Sequence, residues 1–152
     1  MKTHKKRPEI INRKAYHDYF IDDTLECGIS LHGNEVKSII NGKVNINETW
    51  VGIQNNNLII NNMFISRYET ANIFDVDERR ERQLLAHKRE IFRLKEFTSQ
   101  KGFTLIPLKV YFSGSKCKIL IGIARGKHNY DKRNSLKEKQ MKRDIDRSLK
   151  NH

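Results

Sequence analysis

Cysteine is almost missing from this 152-residue chain, which holds only Cys27 and Cys117. They lie far apart, with no second Cys or His at metal-ligand spacing, so neither a zinc ribbon nor a disulfide framework is indicated. Two small half-buried thiols in a reducing cytosol are expected. No apolar run approaches the ~20 residues needed to span a bilayer. The opening Met1-Lys2-Thr3-His4-Lys5-Lys6-Arg7 leads into no signal-type apolar segment. A cytoplasmic protein without a membrane partner is therefore expected. Internal repeats are absent as well.

Catalytic patterns are equally scarce. The histidines at 4, 17, 32, 87, 128 and 152 form no His-x-His or His-Glu-x-x-His pair, so no metal site is expected. His17-Asp18 would point to opposite faces of a strand, which argues against an acid-base pair. Gly122-Ile-Ala-Arg-Gly126-Lys127-His128 has a glycine spacing one short of a phosphate-binding loop, and His128 replaces the hydroxyl that would hold magnesium. A small metal nuclease would have to use Asp18, Asp22 or Glu26, which form no compact carboxylate cluster. From the residues no catalytic constellation and no cofactor are expected.

Positive charge is abundant. The chain carries a formal net charge of +12 and a pI of about 9.8. Residues 1–14 hold six Lys/Arg against one Glu, and residues 127–152 hold nine against four Asp/Glu, so the two ends supply +10 of that charge. A nearly neutral body between cationic ends suggests arms that grip a polyanion and a body that recognises shape. Nucleic acid is the leading partner, because neutralising phosphates releases counterions.

Strand signals dominate the body. Residues 16–30 are rich in aromatic and β-branched types, with a bulge or turn at Asp22-Asp23. Residues 49–54 and 58–65 flank Asn55-Asn56-Asn57, which suits a tight hairpin turn. Residues 103–112 and 117–124 flank Ser113-Gly114-Ser115-Lys116 in the same way. In the last of these, Cys117, Ile119, Ile121 and Ile123 alternate with other residues, placing one face in a core. Five or six antiparallel strands result. Residues 33–40 predict a short helix stopped by Asn41-Gly42. Residues 81–101 predict a long helix with an apolar stripe of Leu84, Leu85, Ile91, Phe92 and Leu94, closed by Gly102. Residues 72–82 read as a charged surface loop. The expected fold is mainly β with flanking helices: a small closed antiparallel β-barrel of oligonucleotide-binding-like architecture.

Three parts follow: a basic arm at 1–11, a nucleic-acid-binding barrel at 12–125, and a basic tail at 126–152. Asn12-Arg13-Lys14 precedes the first strand and Arg125-Gly126-Lys127 follows the last. In a closed barrel these clusters sit side by side and frame one phosphate-binding surface. Tyr130 is the tail's one aromatic; flanked by Lys and Arg, it can stack on an exposed base. Leu136, Met141, Ile145 and Leu149 form a sparse apolar stripe among good helix formers. So little apolar surface predicts a tail disordered when free and helical when bound.

Several separated motifs resemble one family. Residues 12–21 (Asn-Arg-Lys-Ala-Tyr-His-Asp-Tyr-Phe-Ile), Leu25-Glu26-Cys27-Gly28-Ile29, Glu35-Val36-Lys37-Ser38, residues 84–91 (Leu-Leu-Ala-His-Lys-Arg-Glu-Ile) and residues 124–133 (Ala-Arg-Gly-Lys-His-Asn-Tyr-Asp-Lys-Arg) are similar to SmpB, the SsrA-binding proteins of bacteria. The similarity runs in one order from about Asn12 to Lys150. It departs at Ala86, where a third Leu is common, and at His128, where a second Lys is common. The resemblance implies no enzyme but a structural partner, a barrel that binds the tRNA-like domain of transfer-messenger RNA and replaces its missing anticodon arm on stalled ribosomes. It also implies a tail that enters the empty messenger channel of the small subunit. Asn12, Glu26, Leu85 and Lys118 fall at positions the family uses to bind RNA or shape the RNA-binding surface. For Leu85 plain helix-to-barrel packing stands as an equal alternative, and for Glu26 an internal pairing. Arg13, Lys14, His87, Lys88 and Arg125 are further phosphate contacts by charge and placement. Gly126, Lys127, Asp131, Lys132 and Arg133 match the tail motif needed for tagging, and Tyr130 the position that stacks in the decoding centre. A monomer is expected. A ribosomal protein with basic extensions is the alternative.

Overall fold

In the computed structural model, residues 7–67, 77–100, 102–128, 133 and 137–145 are described. Among the described residues up to Gly126, nine short to long strands and three helices follow in the order β1 (Ile10–Ile11), α1 (Arg13–Asp18), β2 (Tyr19–Ile29), α2 (Gly33–Ile40), β3 (Val44–Asn45), β4 (Trp50–Gln54), β5 (Asn57–Asn61), β6 (Phe64–Ile65), β7 (Arg82–Leu85), α3 (Lys88–Thr98), β8 (Phe103–Ser113) and β9 (Lys116–Gly126). The sheet order β1-β8-β4-β5-β7-β2-β9, with β8 also paired to β9, closes six antiparallel strands into a ring. β1 lies on the outside of β8, and β3 and β6 form a separate small ribbon. Closure leaves few edges to attract other chains.

The hairpins form where turn residues demand them. Asn55 and Asn56 have φ of 50° and 61° between β4 and β5, a left-handed pair that Asn tolerates and that matches strand twist. Gly114, at φ 61°, turns β8 into β9. The anticipated irregularity at Asp22 is a register shift between Ile21 and Asp23. Inside the ring, Ile119, Ile121, Leu58, Ile60 and Val110 are fully buried, and Ile39 of α2 and Leu94 of α3 join them.

Two sequence expectations are corrected. Residues 16–18 are not strand: Asn12 caps a six-residue helix, its Oδ1 accepting from Ala15 N at 3.2 Å. His17 and Asp18, at the end of that helix, are consequently side by side, with Nδ1 and Oδ1 2.8 Å apart. Nor does a helix start at Glu81. Arg82 to Leu85 is a strand alternating in and out, and the helix begins after His87, whose backbone N–H donates to Glu90 Oε1 at 3.0 Å. The strand count also exceeds five or six, because β1, β3, β6 and β7 are too short for their patterns to register.

Arg82 was placed in a surface loop by the sequence reading, yet it is 1 % exposed. Its Nε donates to Glu35 Oε2 at 2.7 Å, Nη1 to the carbonyls of Met63 and Arg80, and Nη2 to Glu78 O at 3.1 Å. Arg80 donates to the other Glu35 oxygen. Burial alone would raise the Glu35 carboxyl, but hydrogen bonds from Arg80, the His32 backbone and Arg82 outweigh it and hold the group below its ordinary value. Burial pulls the Arg82 guanidinium down, but the Glu35 carboxylate and the ring of carbonyl acceptors keep it charged. This knot ties α2 to β7 and fixes the strand that ends on Leu85.

Candidate RNA interface

The outer face of the three long strands carries the site. Registers place Leu85 opposite Gly28, Gly28 opposite Lys118, and Lys118 opposite Tyr111, so four strands contribute one cross-strand row. At ~4.8 Å between strands the row spans roughly 14 Å. Leu85 is 53 % exposed, so helix-to-barrel packing does not account for it. Gly28 leaves a gap in the row: a Cβ there would stand 3.3 Å from that of Leu85. Lys118 is half-buried, and among the described residues it has no ion-pair partner.

Glu26 lies one step along from Gly28 and accepts a hydrogen bond from the Tyr111 hydroxyl. The internal partner foreseen for Glu26 is therefore a tyrosine, which sequence reasoning missed because the two are 85 positions apart. Burial and then the Glu26 carboxylate raise the Tyr111 phenol well above its ordinary value, so it remains a donor. Lys109 Nζ lies 4.9 Å from the centroid of the same ring and 3.4 Å from Glu9 Oε1. His87 and Lys88, both exposed, continue the surface beyond Leu85 at the start of α3.

The other candidates cluster at the far end of β2. Asn12 is 3 % exposed, and its Nδ2 donates to Pro107 O at 2.9 Å and Ile46 O at 3.3 Å. The Asn12 side chain is thus fully engaged within the protein. Arg13 and Lys14 project from α1 into solvent, Lys14 reaching Glu48 at 3.4 Å. Lys127 joins them: its backbone N–H donates to Asp18 O at 2.8 Å and its Nζ to Tyr16 O at 3.4 Å. Lys127 thus docks on the C-terminal half of the helix whose first turn carries Arg13 and Lys14. The two basic clusters do not, however, share a surface with the Leu85 row, because Lys118 and Arg125 are seven residues, roughly 23 Å, apart on β9.

Arg125 is more engaged than a free phosphate contact would be. It forks onto Asp22 at 3.0 and 3.2 Å, and its guanidinium lies 5.6 Å and 6.0 Å from the rings of Phe20 and Phe103, its cross-strand neighbours. Lys127 Nζ lies 5.1 Å from the centroid of Phe20. Gly126 ends β9 in the open. Beyond it, Tyr130, Asp131 and Lys132 lie outside the described residues, while Arg133 is helical and exposed. Residues 137–145 are helical, with Met141 and Ile145 63 % and 58 % exposed. Gln140 Nε2 donates to Asp144 Oδ1 one turn on. A helix thus stands over 137–145 in the chain by itself, where the sequence reading expects one only on binding; of the anticipated stripe Met141 and Ile145 stand in solvent, and Leu136 and Leu149 lie outside the described residues.

Among the described residues no three His, Cys, Asp or Glu side chains gather as a metal would require, and no helix is long and apolar enough to cross a membrane. The three carboxylates weighed for a nuclease are dispersed into separate pairings: Asp18 with His17, Asp22 with Arg125, and Glu26 with Tyr111. Cys27 is buried, which pushes its thiol up to about 12.

A closed β-ring with a bare, cation-bearing outer face and a basic helical extension defines a binding protein built for a polyanion. The comparisons make this specific. The SmpB protein family model matches residues 9–151. The SsrA-binding protein of Clostridium acetobutylicum is 52 % identical over 141 residues, covering 93 % of this chain and 91 % of that one. The SsrA-binding protein of Staphylococcus aureus is 49 % identical over 148 residues, 96 % of each chain. A solved chain from the structure "tmRNA-SmpB: a journey to the center of the bacterial ribosome" superposes with a TM-score of 0.68 at 45 % identity, covering 80 % of this chain and 86 % of that one. The chain belongs to the SmpB family.

Proposed function

We propose that this protein binds the tRNA-like domain of transfer-messenger RNA and delivers it to stalled ribosomes for rescue by trans-translation. The observation that carries the reading is near-full-length identity to SsrA-binding proteins, together with the match to a solved tmRNA–SmpB chain. The protein works by binding, and no bond-making step is assigned to it; its place is the cytoplasm, with the ribosomes.

The physical arrangement suits that task. Lys118, Leu85 and the Tyr111–Glu26 pair form the row that meets RNA, with His87 and Lys88 extending it. A lysine contributes a mobile cation for phosphate, the leucine an apolar surface for a sugar or base, and the buried-leaning tyrosine a fixed donor. Asn12 acts by holding α1 against β8. At the other end, Arg13, Lys14, Arg125 and Lys127 surround the root of the tail. From there Gly126, Lys127, Tyr130, Asp131, Lys132 and Arg133 lead into the decoding centre, Tyr130 stacking there and the following helix occupying the empty messenger channel. The exposed Met141–Ile145 stripe offsets little ordering entropy on its own, so channel walls of ribosomal RNA phosphate supply the stabilisation.

Filter binding tests the reading. Affinity for an RNA carrying a tRNA-like acceptor arm and elbow is expected to exceed that for a random duplex of equal length, and to fall steeply with salt. Equal affinity for the two RNAs would sink it.

A further inference from the structure

A groove of about 850 Å³ runs between the β4–β5 turn, the end of β7 and the exposed face of α3. Its apolar floor is unusual for a surface. Phe92 is 64 % exposed and Leu85 53 % exposed, and both line it. Phe92 was expected in the apolar stripe of a core-facing helix. Instead Ile91 and Leu94 take the core, at 9 % and 2 % exposure, and Phe92 points away from it. An exposed aromatic beside an exposed leucine signals an unfilled contact.

The walls say what fills it. Lys88, Arg89 and Lys95 stand one turn before and after Phe92 on the same helix face. None of the lining residues is acidic, and among the described residues these three cations have no ion-pair partner. Opposite them stand the amides of the β4–β5 turn, Asn55, Asn56 and Asn57. The left-handed backbone of Asn55 and Asn56 makes that turn a defined shape. Gln83 Nε2 donates to Asn57 Oδ1 at 3.4 Å and links the turn to β7. A ring face, amides that offer both donors and acceptors, and three cations together match a nucleotide: base on ring, base edge on amides, phosphates on Lys and Arg. A partner protein helix would need more apolar area and fewer uncompensated cations.

We infer that this groove takes an unpaired nucleotide of the bound transfer-messenger RNA, its base stacked on Phe92. The same RNA is indicated because Leu85 belongs both to this groove and to the neighbouring recess that contains Gly28 and Lys118, so the two surfaces are continuous. The inference rests on the proposed RNA binding and deepens it: the row across the strands is the main contact, and the groove extends it around the end of β7.

The test is filter binding of full-length protein to the tRNA-like RNA, with circular dichroism and melting as checks on folding. Because Phe92 is exposed, Phe92→Ala is expected to fold normally and to bind about tenfold more weakly. Phe92→Tyr should restore binding, since stacking needs a ring and not its identity. A double Lys88→Gln, Arg89→Gln variant should weaken binding and lower its salt dependence by between one and two counterions. Photo-crosslinking from a benzophenone amino acid at position 92 should reach an unpaired nucleotide. Unchanged affinity of Phe92→Ala, while Lys118→Gln still weakens binding, would overturn the groove and leave the RNA-binding reading intact. If neither the wild type nor any variant prefers this RNA to a random duplex, the RNA-binding reading fails as well. Loss of ribosome binding alone by Phe92→Ala, with RNA affinity unchanged, would also overturn the inference and give the groove to a ribosomal contact.

Discussion

The outer face of β2, β9 and β8 is roofed at one end and bare at the other. At the roofed end, α1 presses Ala15 onto Ile106, Leu108 and Ala124, giving a second small core outside the ring. At the bare end, the same face presents Glu26, Gly28, Lys118 and Tyr111 to solvent or to half-burial. The cations differ in the same sense. Arg125 is forked onto Asp22 and lies near two rings, whereas Lys118 faces the gap left by Gly28. The roofed end spends its polar groups on itself, as Asn12 does, and so makes a rigid root for the tail. The bare end keeps its cation available. One strand pair, β2 with β9, therefore carries a fixed mount and an open receptor.

The largest effect should come from separating these ends. Removal of residues 131–152 is expected to abolish peptide tagging of stalled chains while leaving RNA affinity nearly unchanged, measured by a tagging assay beside filter binding. A parallel loss of RNA affinity would make the tail another phosphate grip and erase the distinction.

Next in size is the buried knot that positions β7 for the bare end. Arg82→Ala strips the buried Glu35 of one of its two guanidinium partners, leaves Arg80 alone against it, and should cost on the order of 3 kcal/mol of stability in urea unfolding. The knot also sets a pH dependence. The Glu35 carboxyl is held below its ordinary value of 4.5, so its contribution is present above about pH 4.5 and is lost as the pH falls through the lower folded value. In Glu35→Gln the melting temperature should therefore vary less between pH 5 and pH 3 than in wild type; an unchanged profile would show that other carboxylates govern acid unfolding.

Smaller still should be the difference between the two cations. Lys118→Gln should weaken RNA binding on the order of tenfold and reduce its salt dependence by about one counterion. Arg125→Gln should do less in the same assay, because Asp22 already answers its charge. Equal losses would mean that RNA covers both ends.

These contrasts were partly legible in the sequence. Asn55-Asn56 and Gly114 announced their hairpins, and the alternation through Ile119, Ile121 and Ile123 announced the strand that joins both ends. Leu85 and Lys118 were singled out, but only the register reveals that Gly28 stands between them. The error at residues 81–87 has a definite cause. An inward Arg82 breaks the apolar alternation of β7, and the partner that makes its burial tolerable, Glu35, is 47 positions away. Leu84 and Leu85 then merged into the helical stripe of α3. Helix α1 was missed because six residues are too few for a period, although Asn12 was already its cap.

Two glycines give the finest test of the comparison. A Cβ at Gly122, beneath the roof, would meet Leu108 Cδ1 at 3.0 Å and Ile21 Cγ2 at 3.3 Å, with Leu108 fully buried and unable to move freely. A Cβ at Gly28 would meet only Leu85: Cδ1 and Cγ, at 3.5 and 3.8 Å, belong to an exposed side chain that can swing aside, and Cβ, at 3.3 Å, yields with a shift of a few tenths of an ångström in the short strand β7. Overpacking of a filled core costs about 1–3 kcal/mol, so Gly122→Ala should destabilise by roughly that amount and leave the RNA affinity of the folded fraction unaltered. Gly28→Ala should change stability by less than ~1 kcal/mol yet weaken RNA binding a few-fold, since it fills the gap beside Lys118 and displaces Leu85. If Gly28→Ala instead bound RNA as well as wild type, the row would be tolerant of shape and its contribution purely one of charge.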